Sequence, residues 1–264
     1  MTTAEQRREL DVRLLGEAMI SDEAPAVLRE LCDTCGSRFA GSAEERRAGD
    51  FLLGKFAGYG LSGVHAETFR FTGWKRGRRP TLKAVAPRAM SFEAIALPYC
   101  PSTPKRGVEL ELLCLGEGLP EDFARARRQI KGKAVMVTSA SPGYYHRWVH
   151  RAEKYARAVA AGARAFIFMN HDGGLLEPTG SIRFNRRAEI PGVGVSKETG
   201  QRLLRLADGE PVRILLTTHD KSFAARGRNI VADIPGNQKP EEMVVVGAHY
   251  DGHDISQACL LYTS

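Results

Sequence analysis

The stretch GAHYDGHD (247–254) is the densest gathering of chemically able side chains in this 264-residue sequence. It follows MVVV (243–246), an apolar run of the kind that forms a buried strand. His249 would then sit at a strand's C-terminal end, where α/β sheets place their ligand sites. His249 and Asp251 stand two apart, hence on one side of an extended chain. A neutral imidazole binds zinc through one ring nitrogen while a nearby carboxylate holds the other N–H and fixes the tautomer. His249 is thus a candidate metal ligand and Asp251 its orienter, with His253 and Asp254 available to add to the site. Gly247 removes a side chain that would crowd a neighbouring strand or ion. On letters alone the same pattern also suits an ordinary turn, and both readings stand at this point.

Other candidates are weaker. His146 and His150 lie four apart in a segment that reads as a helix over 144–161, so they would share a face. Their neighbours Arg147, Trp148 and Arg151 supply no carboxylate, and an exposed helix face is expected. NHDGG (170–174) reads as a turn. Cys32 and Cys35 form a CxxC late in a helical pattern, without a second Cys/His pair at finger spacing, and are expected as half-buried helical cysteines. GYGLSG (58–63) carries the letters of a dinucleotide fingerprint but ends a helix and precedes a strand, the reverse of the required order. The sequence contains no GxSxG, no P-loop lysine motif and no HExxH, which removes the commonest serine-hydrolase, P-loop and single-zinc protease readings.

The elements that must position His249 follow from composition and pattern. With 43% hydrophobic and 26% charged residues, the chain reads as globular, in one large domain or two smaller ones. Its net charge is +7, with clusters at Lys75–Arg79, Arg125–Arg128 and Arg183–Arg187. These fall in separate loops and helices without aromatic interleaving, so a solvated surface is expected rather than a nucleic-acid site. No apolar run approaches the roughly 20 residues that span a bilayer, and no membrane partner is expected. Five cysteines, an odd number, fit a reducing compartment. The charged N-terminus lacks an apolar signal region, and the chain as given is expected to be cytoplasmic.

Residues 4–35 show helical spacing broken near SDEAP, predicting two helices. Ser42 with Glu45 is a capping-box signature for a third, whose buried face would be Phe51, Leu52, Leu53 and Phe56 and which ends at Gly58 and Gly60. VHAETFRF (64–71) reads as a strand. From about Thr81 short strands follow in TLKAVAP, FEAIALP and VELELLCLG, then a strand, helix, strand unit through AVMVT and AFIFM. A further strand, a helix from near Ser196 and a strand from Val212 complete an α/β insertion over about 85–222. NIVADI (229–234) and MVVVGAHY (243–250) read as two short, apolar, central strands.

The whole chain resembles the zinc-dependent aminopeptidase family that includes carboxypeptidase Q, in its form with an inserted protease-associated domain. CGSRFAGSAEERRAGDFLLGKFAGYGL resembles the family's N-terminal helices. IKGKAVMV, AVAAGARAFIFMN and EIPGVGVSKETGQRLL resemble pieces of the inserted domain, and RNIVADIPGNQKPEEMVVVGAHYDGHDIS resembles the return strands and first metal segment. The resemblance implies an α/β fold: a partial zinc-exopeptidase domain, with a mixed sheet between helices, in residues 1–84 and 223–257, and the protease-associated insertion in 85–222. It implies two adjacent Zn2+ ions per intact site, with His249 binding one and Asp251 orienting it. It also implies peptide substrates; oligomeric state is left open.

The family's bridging aspartate, Glu-Glu pair, further acidic ligand and final histidine have no place in this sequence. ACLLYTS (258–264) resembles translated adapter sequence and is expected to be a non-native tail. The expectation is therefore an N-terminal fragment of a two-zinc exopeptidase, inactive by itself. The alternative is a non-catalytic protein that uses the protease-associated domain for partner or substrate contact.

Overall fold

Two helices, α1 (Thr3–Ile20) and α2 (Glu23–Cys35), open the chain, separated at Ser21 and Asp22, with Pro25 in the first turn of α2. In this computed structural model residues 3–237, 239 and 241–255 are described; the tail at 258–264 lies outside them. α3 (Ala43–Gly58) follows a glycine-rich loop and leads into the long strand β1 (Ser62–Lys75). Next come β2 (Thr81–Ala86), β3 (Met90–Phe92), β4 (Ile95–Ala96), β5 (Val108–Cys114), α4 (Pro120–Arg125), α5 (Arg127–Ile130) and β6 (Ala134–Thr138). α6 (Arg151–Ala160), β7 (Ala165–Met169), β8 (Gly192–Val195), α7 (Lys197–Ala207), β9 (Arg213–Thr217) and β10 (Lys221–Asp233) complete the order. The chain divides into two units, residues 1–66 with 230–264 and residues 67–229.

Within the second unit eight strands form one sheet in the order β3-β2-β9-β5-β6-β7-β8-β4. β5, β6, β7 and β8 run parallel, as strands joined by crossover segments must, while β9, β2, β3 and β4 are antiparallel to their neighbours. Strict alternation on β6 and β7 sorts the core onto two faces. Ala134, Met136, Ala165 and Ile167 join Leu203 of α7 on one side. Val135, Val137, Phe166 and Phe168 join Tyr155 and Ala158 of α6 and Phe123 and Ile130 on the other. β8 (GVGV) puts its valines in the first cluster and only glycines on the opposite face. There the 170–191 loop crosses so closely that a Cβ on Gly194 would clash with the Pro178 carbonyl oxygen.

Four expectations require correction. MVVVGAHY is not a strand: residues 243–250 are irregular, and Val246 is 93% exposed. A strand needs a neighbour for its backbone N–H and C=O groups, and among the described residues none pairs with this run. NIVADI does lie in β10, but in a two-stranded sheet with β1 rather than at the centre of a larger one. The helix expected over 144–161 starts only at Arg151, because His150 is its N-cap and breaks the helical dihedrals. The expected face of α3 is half-buried; its fully buried positions are Glu45, Ala48 and Gly49. Among the described residues no helix is long and apolar enough to cross a membrane.

Lys154 of α6 is fully buried, with Nζ donating to the carbonyls of Thr138 (2.8 Å), the last residue of β6, and Ala140 (2.7 Å) just beyond it. Burial pulls its pKa down to about 8 from an ordinary 10.5. The folded protein therefore binds this proton less tightly than the unfolded chain. The lysine's contribution to stability is complete above 10.5 and is lost as pH falls through about 8. Urea midpoints of the wild type relative to Lys154→Met are expected to rise between about pH 7.5 and about pH 10; a pH-independent difference would contradict the burial effect.

Candidate functional site

The loop between α2 and α3 determines where the 249–252 segment goes. CGSRFAGS (35–42) contains three left-handed residues, Gly36 (φ 69°), Arg38 (φ 49°) and Gly41 (φ 85°), which curl it into a compact turn. Arg38 is fully buried; Nη1 donates to the Gly36 carbonyl at 2.6 Å and Nε to the Tyr250 carbonyl at 3.1 Å. Its own carbonyl accepts from the Gly252 N–H at 3.0 Å. The two segments approach so closely that a Cβ on Gly252 would overlap the Ser37 carbonyl oxygen. Only glycine fits there.

A second tie comes from α3. Ser42 caps that helix by accepting from the Glu45 N–H at 3.0 Å, as its sequence position requires. The Glu45 carboxylate does not close the box back onto residue 42. It accepts the Tyr250 hydroxyl instead, while the Tyr250 ring packs with Leu31, Cys35, Ala48 and Phe51. The CxxC pair thus ends α2 as expected, with Cys32 half-buried and Cys35 buried in this small core.

Between these anchors the structure brings His249 and Asp251 together. His249 Nδ1 lies 3.0 Å from Asp251 Oδ1 and 3.0 Å from the Asp251 carbonyl oxygen. Both partners are acceptors, so Nδ1 carries a proton, and in the neutral ring the lone pair resides on Nε2. Both side chains are about half exposed, which leaves room for a ligand at Nε2. Among the described residues no protein group hydrogen-bonds Nε2. His253 and Asp254 lie half-buried in the same segment, yet no group of three or more His, Cys, Asp or Glu able to hold a metal forms among the described residues. A catalytic zinc takes three protein donors, and the arrangement here supplies one with its orienter.

The remaining candidates have structural roles. The His150 Nδ1 accepts the Ala152 N–H at 3.0 Å and the Glu153 carboxylate reaches back to the His150 N–H. Burial, with Arg151 beside it, holds this imidazole below its ordinary pKa, which favours the neutral form the cap needs. His146 lies in the bend before the helix, so the two rings do not share a helix face. NHDGG is a turn: Asn170 Oδ1 accepts from the Asp172 N–H at 3.2 Å, and His171 binds Ser139 Oγ at 2.6 Å. Sequence reasoning missed Arg38, Glu45 as a hydrogen-bond acceptor for Tyr250, and Gly252. The available signal was the arginine flanked by Gly36 and Gly41.

Comparison with known proteins agrees with this architecture. Residues 108–203 match the PA domain. Carboxypeptidase Q from Bos taurus is 26% identical over 235 residues, 87% of this chain and 49% of that protein. The Homo sapiens protein is 25% identical over the same shares. The chain spans about half the length of the curated relatives it matches. Among solved structures, a peptidase M28 precursor from Shewanella amazonensis SB2B superposes with a TM-score of 0.77 at 21% identity, over 95% of this chain and 59% of that one. BSAP, a zinc aminopeptidase from Bacillus subtilis, does so with a TM-score of 0.59 at 24% identity, over 80% and 46%. The structural likenesses define an α/β peptidase fold with an inserted domain. The PA-domain match and the carboxypeptidase Q relatives make the chain similar to carboxypeptidase Q over most of its length, with a PA domain in the matching place.

Tyr250→Phe removes the tie to Glu45 while keeping the ring in its small core. The Gly252 amide is expected to exchange with deuterium about tenfold faster, the effect of losing a hydrogen bond to a charged group. Unchanged protection at Gly252 would show that the tie does not hold this segment.

Proposed function

We propose that these residues form the N-terminal part of a two-zinc metallo-exopeptidase of the aminopeptidase type, which hydrolyses peptide bonds at a chain end. The observation that carries this reading is the His249–Asp251 pair, an exposed imidazole whose Nδ1–H is held by a carboxylate so that Nε2 offers a lone pair. A turn needs no such pairing, and a binding protein without metal chemistry has no use for a ligand beside its orienter. The donor chemistry fits zinc at one position, with the other ligands to come from chain beyond residue 257. Zinc bound in such a site lowers the pKa of a coordinated water and polarises the scissile carbonyl.

The chain's own residues have narrower duties. His249 donates through Nε2, and Asp251 fixes the tautomer and the orientation of the ring. Arg38, Tyr250 and Gly252 hold the backbone on either side of Asp251 against the α2–α3 loop. Peptide substrates are proposed because the relatives are peptidases. The general base and the remaining ligands are absent from the described residues, so the 264-residue chain itself is proposed to be inactive.

The purified chain is expected to release no nitroaniline from an aminoacyl-nitroanilide with zinc present; hydrolysis would contradict the assignment of the missing groups to further sequence. In a longer natural chain that continues past residue 257, Asp251→Asn is expected to weaken zinc binding by about 10- to 100-fold, read by chelator competition. An unchanged zinc affinity would remove Asp251 from the site.

A further inference from the structure

Two loops leave the edge of the second unit's sheet where the parallel strands β6 and β7 end. Each is pinned to the core and yet turns aromatic rings outward. In the first, Val149 is fully buried and its N–H donates to Ser141 Oγ at 3.1 Å, while Trp148 beside it is 54% exposed. In the second, Ile182 is fully buried, with its N–H donating to the Pro98 carbonyl, and Ala188 is tied to the Tyr99 carbonyl. Between those two pins Phe184 is 66% exposed. His150 joins the two rings, edge-on to Trp148 at 5.0 Å and tilted against Phe184 at 5.7 Å between ring centroids. As the N-cap of α6 it cannot turn away without uncapping the helix.

Single exposed apolar side chains are ordinary, but a contiguous aromatic strip built across two anchored loops marks an interaction site. Its charge indicates what binds. Arg147 adjoins Trp148 and pairs with Glu153; in the Phe184 loop Arg183 and Arg186 pair with Glu189, Arg183 lying over the Tyr155 ring, while Arg186 and Arg187 follow Phe184 on the exposed surface. Among the described residues Arg187 has no ion-pair partner. Arginine beside tryptophan is also the composition of energetic centres in protein interfaces.

We propose that the Trp148–His150–Phe184 strip and its flanking arginines form a docking surface for an acidic peptide segment bearing apolar or aromatic side chains. The rings take the apolar side chains and Arg186 and Arg187 take the carboxylates. A nucleic-acid strand fits less well. The edge-on His150 leaves no continuous stacking platform for bases. The proposal concerns residues 67–229 alone and requires neither metal nor His249, so it stands or falls independently of the peptidase reading.

The test uses the full 264-residue chain and fluorescence anisotropy of labelled Glu-Glu-Phe-Phe-Glu-Glu, with Lys-Lys-Phe-Phe-Lys-Lys and a thymidine oligonucleotide as comparisons. The acidic peptide is expected to bind saturably and more tightly than either comparison, and to weaken as salt rises from about 0.05 to about 0.5 M. Trp148→Ala and Phe184→Ala are each expected to weaken it by about tenfold or more, and Arg186→Glu with Arg187→Glu to do the same. These side chains are exposed, so the variants keep the fold, which circular dichroism verifies. Absence of binding, equal binding by the variants, or tighter binding of the basic peptide or the oligonucleotide would overturn the proposal.

Discussion

The candidate site depends on one buried guanidinium. Arg38 is removed from solvent, and a charge in that position is tolerated only when hydrogen bonds replace its water. The carbonyls of Gly36 and Tyr250 do this, and the Arg38 carbonyl in turn takes the Gly252 N–H. Holding a non-glycine residue at φ 49° costs on the order of 1 kcal/mol, which charge-assisted bonds offset. The guanidinium holds the backbone on the N-terminal side of Asp251 and the Arg38 main chain holds it on the C-terminal side. The Tyr250–Glu45 bond adds a second point of attachment within the same small core. Thus the 249–252 segment takes its conformation from helices near the N-terminus, without any strand pairing of its own.

The second unit works by a different rule, the period of two along β6, β7 and β8. Because these strands are covered on both faces, each alternate residue has a partner layer, and the sheet is specified on both sides. Glycines on one face of β8 make room for the 170–191 loop, and buried Lys154 ties the chain just beyond β6 to α6. Rigid strands with closely pinned loops at one edge are the arrangement in which surface side chains gain a fixed geometry. The aromatic strip at that edge is a consequence of this support.

Patterns with a strong period were legible in the sequence. The two opening helices, the Ser42 cap, the helix start near Ser196, and the strand, helix, strand run through AVMVT and AFIFM follow from spacing and capping chemistry alone. His249 and Asp251 were legible as a pair because HxD separation has a direct geometric meaning. MVVV was misread because an apolar run states only a preference for burial, while strand formation also needs a neighbour. His150 was misread because a histidine at an N-cap and one inside a helix have the same letter, and only Glu153 three residues on distinguishes them. Arg38 and Glu45 were invisible because their partner Tyr250 lies more than 200 residues away in sequence.

The central claim is that the Arg38-held segment presents His249 with its proton on Nδ1 and its lone pair on Nε2. Long-range proton–nitrogen correlation NMR of the imidazole, with histidines assigned by substitution, reads this directly. In the purified chain at neutral pH, His249 is expected to show a protonated Nδ1 and a bare Nε2, and Asp251→Ala is expected to shift the ring toward the opposite tautomer. A proton resting on Nε2 in the wild type, or a tautomer indifferent to Asp251, would contradict the account.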